Sequence, residues 1–242
     1  MAETFEFSPE GYARLIAALR ARGYKACGFA AADPQTQHLI LRHDVDFSLD
    51  AAAAMAEQER RLGVSATYFV LLRTEFYNSL SRDGLQSLRR IVGCGHEIGL
   101  HFDAALYPDQ PAAVETAVAH ECALLESVFG GPISTISFHR PVAERAGSAN
   151  RLAGRLNAYG PRFVKDMGYC SDSRGAWQFG GPLEQPAVRE KRALQLLVHP
   201  FWWQDPPTTP VERLKAFVEQ RKEFLDHELA RHCAVHKAHD GH

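Results

Sequence analysis

Short apolar runs alternate with helix-like segments along most of this chain, and no other sequence feature restricts its fold as much. The apolar runs are rich in residues that favour strands, and they occupy residues 38–42, 65–72, 98–102, 133–138 and 194–198. The segments with helical spacing are residues 48–62, 85–92, 112–129 and 211–232. Strand and helix units in series predict an α/β protein with a parallel sheet, either a barrel or an open doubly wound sheet.

The length and composition fit one folded unit. The chain has 242 residues, of which 45% are hydrophobic, and this is enough to bury a core. We expect a single domain over residues 1–242, with its core at about 38–203. A leading helix at 8–22 and a closing helix at 211–232 flank this core. The pattern weakens over residues 140–181, which predicts a long loop that contacts substrate.

Charge and cysteine content narrow the possible partners and location. Lys and Arg total 27 against 29 Asp and Glu, so a nucleic-acid-binding role is not indicated. No apolar stretch is long enough to span a bilayer, so we expect no integral membrane association. The first residues are acidic rather than basic and apolar, and the five cysteines show no CxxC spacing. We therefore expect a cytoplasmic protein without disulfides. The sequence leaves its oligomeric state open.

Polar side chains follow four of the predicted strands. Asp44 and Asp46 end the first, His101 the third, His139 the fourth and His199 the last. In parallel α/β folds the carboxyl ends of the strands form the active-site face, so these groups are expected to converge. Carboxylate oxygens and imidazole nitrogens bind zinc, iron, cobalt or manganese. The pattern therefore predicts a site for one divalent metal ion.

Simpler structural roles exist for each of these residues taken singly. Asp44 and Asp46 could cap the following helix, because carboxylates satisfy free N–H groups at helix starts. A lone histidine at a strand end is often a hydrogen-bonded structural residue. Three such histidines at three strand ends favour a shared site. His96, before the third strand, is interpreted as a strand-entry residue and not as a ligand.

Six segments carry a resemblance to a known family. They are residues 41–46 (LRHDVD), 66–70 (ATYFV), 95–101 (GHEIGLH), 137–141 (SFHRP), 171–177 (SDSRGAW) and 197–200 (LVHP). In order and spacing they resemble the motifs of the polysaccharide deacetylases, the NodB-homology family of carbohydrate esterases. The resemblance implies a distorted parallel (β/α) barrel. It also implies a metal-dependent hydrolase that removes an acetyl group from an N-acetylated sugar, with zinc as the expected ion.

The resemblance also implies roles for the two aspartates of the first motif. The family's catalytic base corresponds to Asp44 and its metal-binding aspartate to Asp46. One residue is inserted between them here, so the reverse assignment stays open.

The family's metal-binding histidine pair is incomplete in this chain. Its first member corresponds to His101, but the second position holds Ala105. His139 is the substitute that we expect for the third ligand. Asp44 and Asp103 stay open as alternatives.

The remaining motifs imply an acid and its supporting groups. The family's general acid corresponds to His199, and its supporting Asp and Trp correspond to Asp172 and Trp177. Arg140, Asp172 and Arg174 are expected to orient the base and the acid. Aromatic residues expected to provide a surface for sugar rings are Trp177, Phe201, Trp202 and Trp203.

Three functions are compatible with these residues. The first is removal of an acetyl group from a glycan or small-molecule sugar in surface-polysaccharide biosynthesis. The second keeps the metal site but hydrolyses a non-sugar amide or C–N bond, because one fold accepts many substrates. The third is a degenerate site, left by the loss of the histidine at Ala105, that binds a glycan without turnover.

Overall fold

A computed structural model describes residues 5–140, 149–178, 180–233 and 235–236 of the chain. The helices are α1 (Pro9–Ala21), α2 (Leu49–Leu62), α3 (Arg82–Gly93), α4 (Pro111–Phe129), α5 (Pro161–Val164), α6 (Pro186–Arg189) and α7 (Pro210–His232). The strands are β1 (Lys25–Ala26), β2 (His38–Val45), β3 (Thr67–Leu71), β4 (Glu97–Phe102), β5 (Thr135–Phe138), β6 (Arg151–Leu152), β7 (Arg155–Asn157), β8 (Gly168–Ser171) and β9 (Leu194–Val198). The parallel α/β class predicted from the alternation is confirmed.

All nine strands belong to one sheet. Its order is β6-β7-β5-β4-β3-β2-β9-β8, and β1 pairs with β2. Every pair is parallel except the antiparallel pair of β6 and β7. The carboxyl ends of β2, β4, β5 and β9 therefore lie at the same rim of the sheet.

The main helices begin where the sequence places its capping residues. Ser8 accepts a hydrogen bond from the Gly11 amide at 3.1 Å, and Pro9 follows at the first helical position. Ser48 caps α2 in the same way. Gly63 ends α2 with φ at 68°, a left-handed conformation in which glycine lacks the steric penalty of other residues.

Side chains of β2 and β3 alternate between two apolar clusters. Leu39 and Tyr68 belong to the larger cluster, which lies between the sheet and the helices. Ile40 and Phe69 belong to a smaller cluster inside the curve of the sheet, together with Phe29, Leu156, Ala158, Phe163, Met167 and Ala193. Because successive side chains of a strand point to opposite faces, Arg42 and Asp44 share the inner face with Ile40.

Contacts across the inner face show that the sheet curls. Three strand steps separate β2 from β5, which is about 14 Å in a flat sheet. Arg42 on β2 nevertheless donates a hydrogen bond to Ser137 on β5 at 2.5 Å. Gln195 on β9 donates to the carbonyl of Phe163, which follows β7, at 3.0 Å. The sheet is therefore the distorted (β/α) barrel that was predicted, and no strand pairing closes its ends within the described ranges.

The loop prediction for residues 140–181 is wrong in part. Strands β6, β7 and β8 lie within this range, and they have only two, three and four residues. Runs this short do not show a clear alternating pattern. Pro141, the last residue of the SFHRP motif, lies outside the described residues.

Across the described ranges, none of the helices combines the length and the apolar character needed to cross a membrane.

A buried carboxylate joins the outer face of β2 to the surrounding helices. Glu59 on α2 accepts hydrogen bonds from Tyr12 at 2.5 Å, Tyr68 at 2.7 Å and His43 at 2.8 Å. Burial raises the pKa of Glu59, but the charge and hydrogen bond of His43 lower it more, so the pKa lies below its usual range. His96 bonds instead to the backbone of Ala66 and Ala56, which fits its interpretation as a strand-entry residue.

We predict that Glu59→Gln destabilises the fold by about 3 kcal/mol, because the amide replaces one carboxylate oxygen with a donor that faces other donors in this buried cluster. Urea unfolding at pH 7 measures this loss. Glu57→Gln is the control on the same helix. Its carboxylate is 41% exposed and pairs with Arg90, so its loss is below about 1 kcal/mol. Equal losses in the two variants would contradict a structural role for the Glu59 cluster.

Candidate metal centre

Three residues at the carboxyl ends of β2, β4 and β5 meet inside the barrel. Asp46 directly follows β2, His101 lies near the end of β4, and His139 directly follows β5. In the sheet His101 is the register partner of Ser137, so His139 lies two residues beyond that partner and on the same face. The topology thus brings together three side chains that are far apart in the sequence.

The three ligand atoms form a nearly equilateral triangle. His101 Nε2 lies 3.2 Å from Asp46 Oδ1, and His139 Nδ1 lies 3.3 Å from His101 Nε2. The third side, from His139 Nδ1 to Asp46 Oδ1, is 3.4 Å. In a tetrahedral zinc site with bonds of about 2.0–2.1 Å, ligand atoms lie about 3.3–3.4 Å apart. The triangle therefore matches one face of such a site and leaves the fourth position open.

The contacts of His101 are compatible with those of a metal ligand. Its Nδ1 lies 3.3 Å from the carbonyl oxygen of Ser137, so a proton on Nδ1 has an acceptor there. Its Nε2 lies 3.2 Å from Asp46 Oδ1 on the side of the three-atom group. One carboxylate and two imidazoles form a donor set that fits a divalent metal ion.

The geometry also distinguishes the candidates for the third ligand. Asp103 caps the turn that contains Ala105, accepting from its amide at 3.1 Å, and also pairs with Arg140. Asp44 Oδ2 lies 3.7 Å from His101 Nε2, but both of its oxygens bind Arg42. Only His139 completes a close three-atom group with Asp46 and His101 among the residues that the structure describes.

Asp44 is held by an arginine that the sequence argument missed. Arg42 Nε donates to Asp44 Oδ1 at 2.9 Å, and Nη2 donates to Oδ2 at 2.7 Å. The arginine is fully buried. Its guanidinium also contacts Ser137 and Gln195 and lies 4.3 Å from the centre of the Tyr159 ring. Burial raises the pKa of Asp44, but the charge and hydrogen bonds of Arg42 together with His101 and His199 lower it more, so the pKa lies below its usual range and the carboxyl stays ionised. The signal was available, because an arginine within an apolar strand needs a buried partner.

His199 is fixed by Asp172 at the end of β9. Its Nδ1 donates to Asp172 Oδ1 at 2.6 Å, and its backbone amide donates to the same carboxylate at 3.0 Å. Trp203 Nε1 donates to Asp172 Oδ2 at 2.7 Å. The free Nε2 lies 3.7 Å from Asp46 Oδ2, so it faces the three-ligand group. Burial lowers the pKa of His199, but the carboxylates of Asp172, Asp46 and Asp44 together raise it more, to about 9. His199 is thus protonated at neutral pH.

The other expected support residues lie in different places. Arg140 pairs with Asp103 and not with Asp44. Arg174 is exposed, and within the described part of the chain no hydrogen bond or ion pair connects it with the centre. Trp177 packs against Phe7 and Trp203, with ring centres 5.8 and 5.9 Å apart. The tryptophan that contacts Asp172 is therefore Trp203.

Comparison with known proteins finds neither a matching family model nor a matching curated protein. Several solved structures are similar. A Streptococcus pyogenes deacetylase, PplD, in complex with acetate is 13% identical, with 88% of each chain covered and a TM-score of 0.47. A family 4 carbohydrate esterase from Bacillus anthracis is 16% identical, with 86% of each chain covered and a TM-score of 0.45. A family 4 acetyl xylan esterase from Clostridium thermocellum, in complex with a cobalt ion, is 16% identical, with 76% of this chain and 83% of that chain covered and a TM-score of 0.41.

The descriptions of these three proteins name a deacetylase and two esterases. The similar structures also include a Bacillus anthracis protein described as a pseudoenzyme of the same family. Because the identities are this low, the chemistry proposed below rests on the side chains of this chain.

We predict that Asp46→Ala, His101→Ala and His139→Ala each weaken zinc binding at least about 100-fold, because each removes one of three ligands. Elemental analysis after dialysis and calorimetric titration with zinc measure the loss. His120→Ala, which removes an exposed histidine of α4, is the control and keeps one ion per chain. Full occupancy in the His139 variant would assign the third ligand to another residue.

Proposed function

We propose that this protein is a metal-dependent hydrolase that removes an acetyl group from an N-acetylated sugar. The observation that carries the proposal is the placement of Asp44 and His199 around the three-ligand group. Asp44 Oδ2 lies 3.7 Å from His101 Nε2, and His199 Nε2 lies 3.7 Å from Asp46 Oδ2. A proton acceptor and a proton donor thus flank one point at which an amide can react.

The two groups carry opposite protonation states, which hydrolysis of an amide requires. A divalent ion held by Asp46, His101 and His139 supplies Lewis acidity, both for water and for the acyl carbonyl. Asp44 is ionised, so its role is to accept a proton from the attacking water. His199 is protonated at Nε2, so its role is to donate a proton to the departing amine. An amine is a poor leaving group until it is protonated, and this makes the acid essential.

Arg42 and Asp172 act as positioning residues in this scheme. Arg42 holds the Asp44 carboxylate by two hydrogen bonds and so fixes the direction from which it accepts a proton. Asp172 fixes the ring orientation and tautomer of His199.

We choose an N-acetylated glycan or small sugar as the substrate because of the motif resemblance. We choose zinc as the metal ion because of the ligand atoms and the distances between them. The five cysteines are unpaired, which fits a reducing compartment, and we propose that the reaction belongs to cytoplasmic surface-polysaccharide biosynthesis.

Asp44→Asn and His199→Gln are expected to lower turnover by about 10²–10⁴ while zinc stays bound, because each removes one proton-transfer group and no ligand. Acetate release from a panel of N-acetylated sugars measures turnover, and elemental analysis measures zinc. Asp166→Asn, at an exposed position, is the control and keeps the activity of the unmodified protein.

Two outcomes would change the assignment. If Asp44→Asn loses its metal, Asp44 is a ligand and the roles of the two aspartates are reversed. If the zinc-loaded protein binds these sugars but releases no acetate, the site is a binding site and the hydrolase proposal is wrong.

A further inference from the structure

An aromatic cleft opens beside the candidate metal centre. It has a volume of about 540 Å³ and lies between the start of α2, the connection from β3 to α3, and α7. We call it the phenylalanine cleft, and its aromatic lining consists of Phe47, Phe76, Tyr77, Phe201, Phe217 and Phe224. Polar and charged side chains line the rest of the cleft, among them Asp50, Glu75, Asp83 and Arg221. Its volume is in the range of pockets that bind small molecules, about 300–1,000 Å³.

The cleft and the metal centre share two pieces of backbone. Phe47 directly follows the ligand Asp46, and Phe201 follows His199 by two residues. The rings of Phe47 and Phe201 contact each other, with centres 4.6 Å apart. Two rings of the aromatic wall therefore belong to residues that lie within two positions of Asp46 and His199 in the chain.

A tyrosine holds the opposite wall in place. Tyr77 Oη donates to the carbonyl of Val45 at 2.7 Å and accepts from the amide of Leu71 at 2.8 Å. These bonds tie the connection after β3 to the end of β2. The wall is therefore fixed before any ligand arrives, and preformed sites bind with a smaller loss of entropy.

Two rings of the lining remain exposed inside this concave surface. Phe76 is 43% exposed and Phe224 is 45% exposed. Phe76 contacts the rings of Phe47 and Phe217, at 5.0 and 6.0 Å between centres, so it belongs to the aromatic wall. Apolar surface in a concave site gains stability when another apolar group covers it.

We propose that the phenylalanine cleft binds an apolar group attached to the sugar substrate, next to the acetamide that reacts at the metal centre. The proposal rests on the proposed function and defines its substrate class as an amphiphilic N-acetylated sugar. An aryl group and an alkyl chain share the required chemistry, and the experiment distinguishes them.

The test compares β-glycosides of N-acetylglucosamine that differ only in the attached group: methyl, butyl, octyl and phenyl. Acetate release by the zinc-loaded full chain gives kcat/KM, and calorimetry gives binding independently of turnover, with each glycoside below its micelle concentration. We expect kcat/KM and affinity to rise about fourfold for each methylene that enters the cleft. A preference for phenyl over octyl identifies an aryl ligand, and a preference for octyl over phenyl identifies an alkyl ligand.

Substitutions of cleft residues test whether the preference for larger groups arises in the cleft. Phe76→Ala and Phe224→Ala are expected to lower the preference for the larger groups about tenfold and to leave the methyl glycoside unchanged. Leu225→Ala is the matched control. It removes a neighbouring side chain of α7 that is 53% exposed but does not line the cleft, and it keeps the preference. Thermal unfolding checks that all three variants are folded.

The outcomes separate the two proposals. Equal kcat/KM for the methyl and larger glycosides, or equal loss of preference in the Leu225 variant, overturns the cleft proposal and leaves the deacetylase proposal intact. If no glycoside releases acetate, the affinities measured by calorimetry test the cleft proposal without reference to turnover. Tighter binding of the larger glycosides that depends on Phe224 supports the cleft, and equal binding overturns it.

Discussion

The buried pairing of Arg42 with Asp44 is the interaction on which the arrangement of the site depends. An arginine side chain inside a barrel loses its hydration, and this loss is recovered only if its donors are all used in good geometry. Here the guanidinium bonds to Asp44, Ser137 and Gln195, which lie on three different strands. The same contacts that compensate the charge therefore fix the curl of the sheet and the orientation of Asp44.

Strand β2 is constrained from both faces. On its inner face Arg42 and Asp44 pair inside the barrel, while on its outer face His43 bonds to Glu59 in a cluster without solvent. A register shift by one residue exchanges the two faces and places each charge against the wrong partners. This double constraint fixes the position of Asp46, which directly follows the strand. The polar residues of the motif thus stabilise the register of the strand that positions Asp46.

The sequence predicts much of the fold and part of the site, for identifiable reasons. Apolar runs and capping residues such as Ser8 and Ser48 are local signals, so the main strands and helices could be placed from them. The contact of Arg42 with Ser137 depends on the curl across three strand steps, which no local pattern encodes. Similarly, Trp203 rather than Trp177 contacts Asp172, because the choice between them depends on how the loop after β9 packs. Strands β6 to β8 were missed because each has four residues or fewer.

The strand next to β4 places a histidine beside His101, although position 105 is an alanine. A histidine there would lie in the turn after β4, whereas His139 comes from β5, which is hydrogen-bonded to β4 about 4.8 Å away. Arg140 follows His139 with φ at 51°, a left-handed conformation that is unfavourable for a side chain larger than glycine. Its ion pair with Asp103 joins the ends of β4 and β5. Arg140 was expected to orient the base. It pairs instead with Asp103, next to His139 at the end of β5.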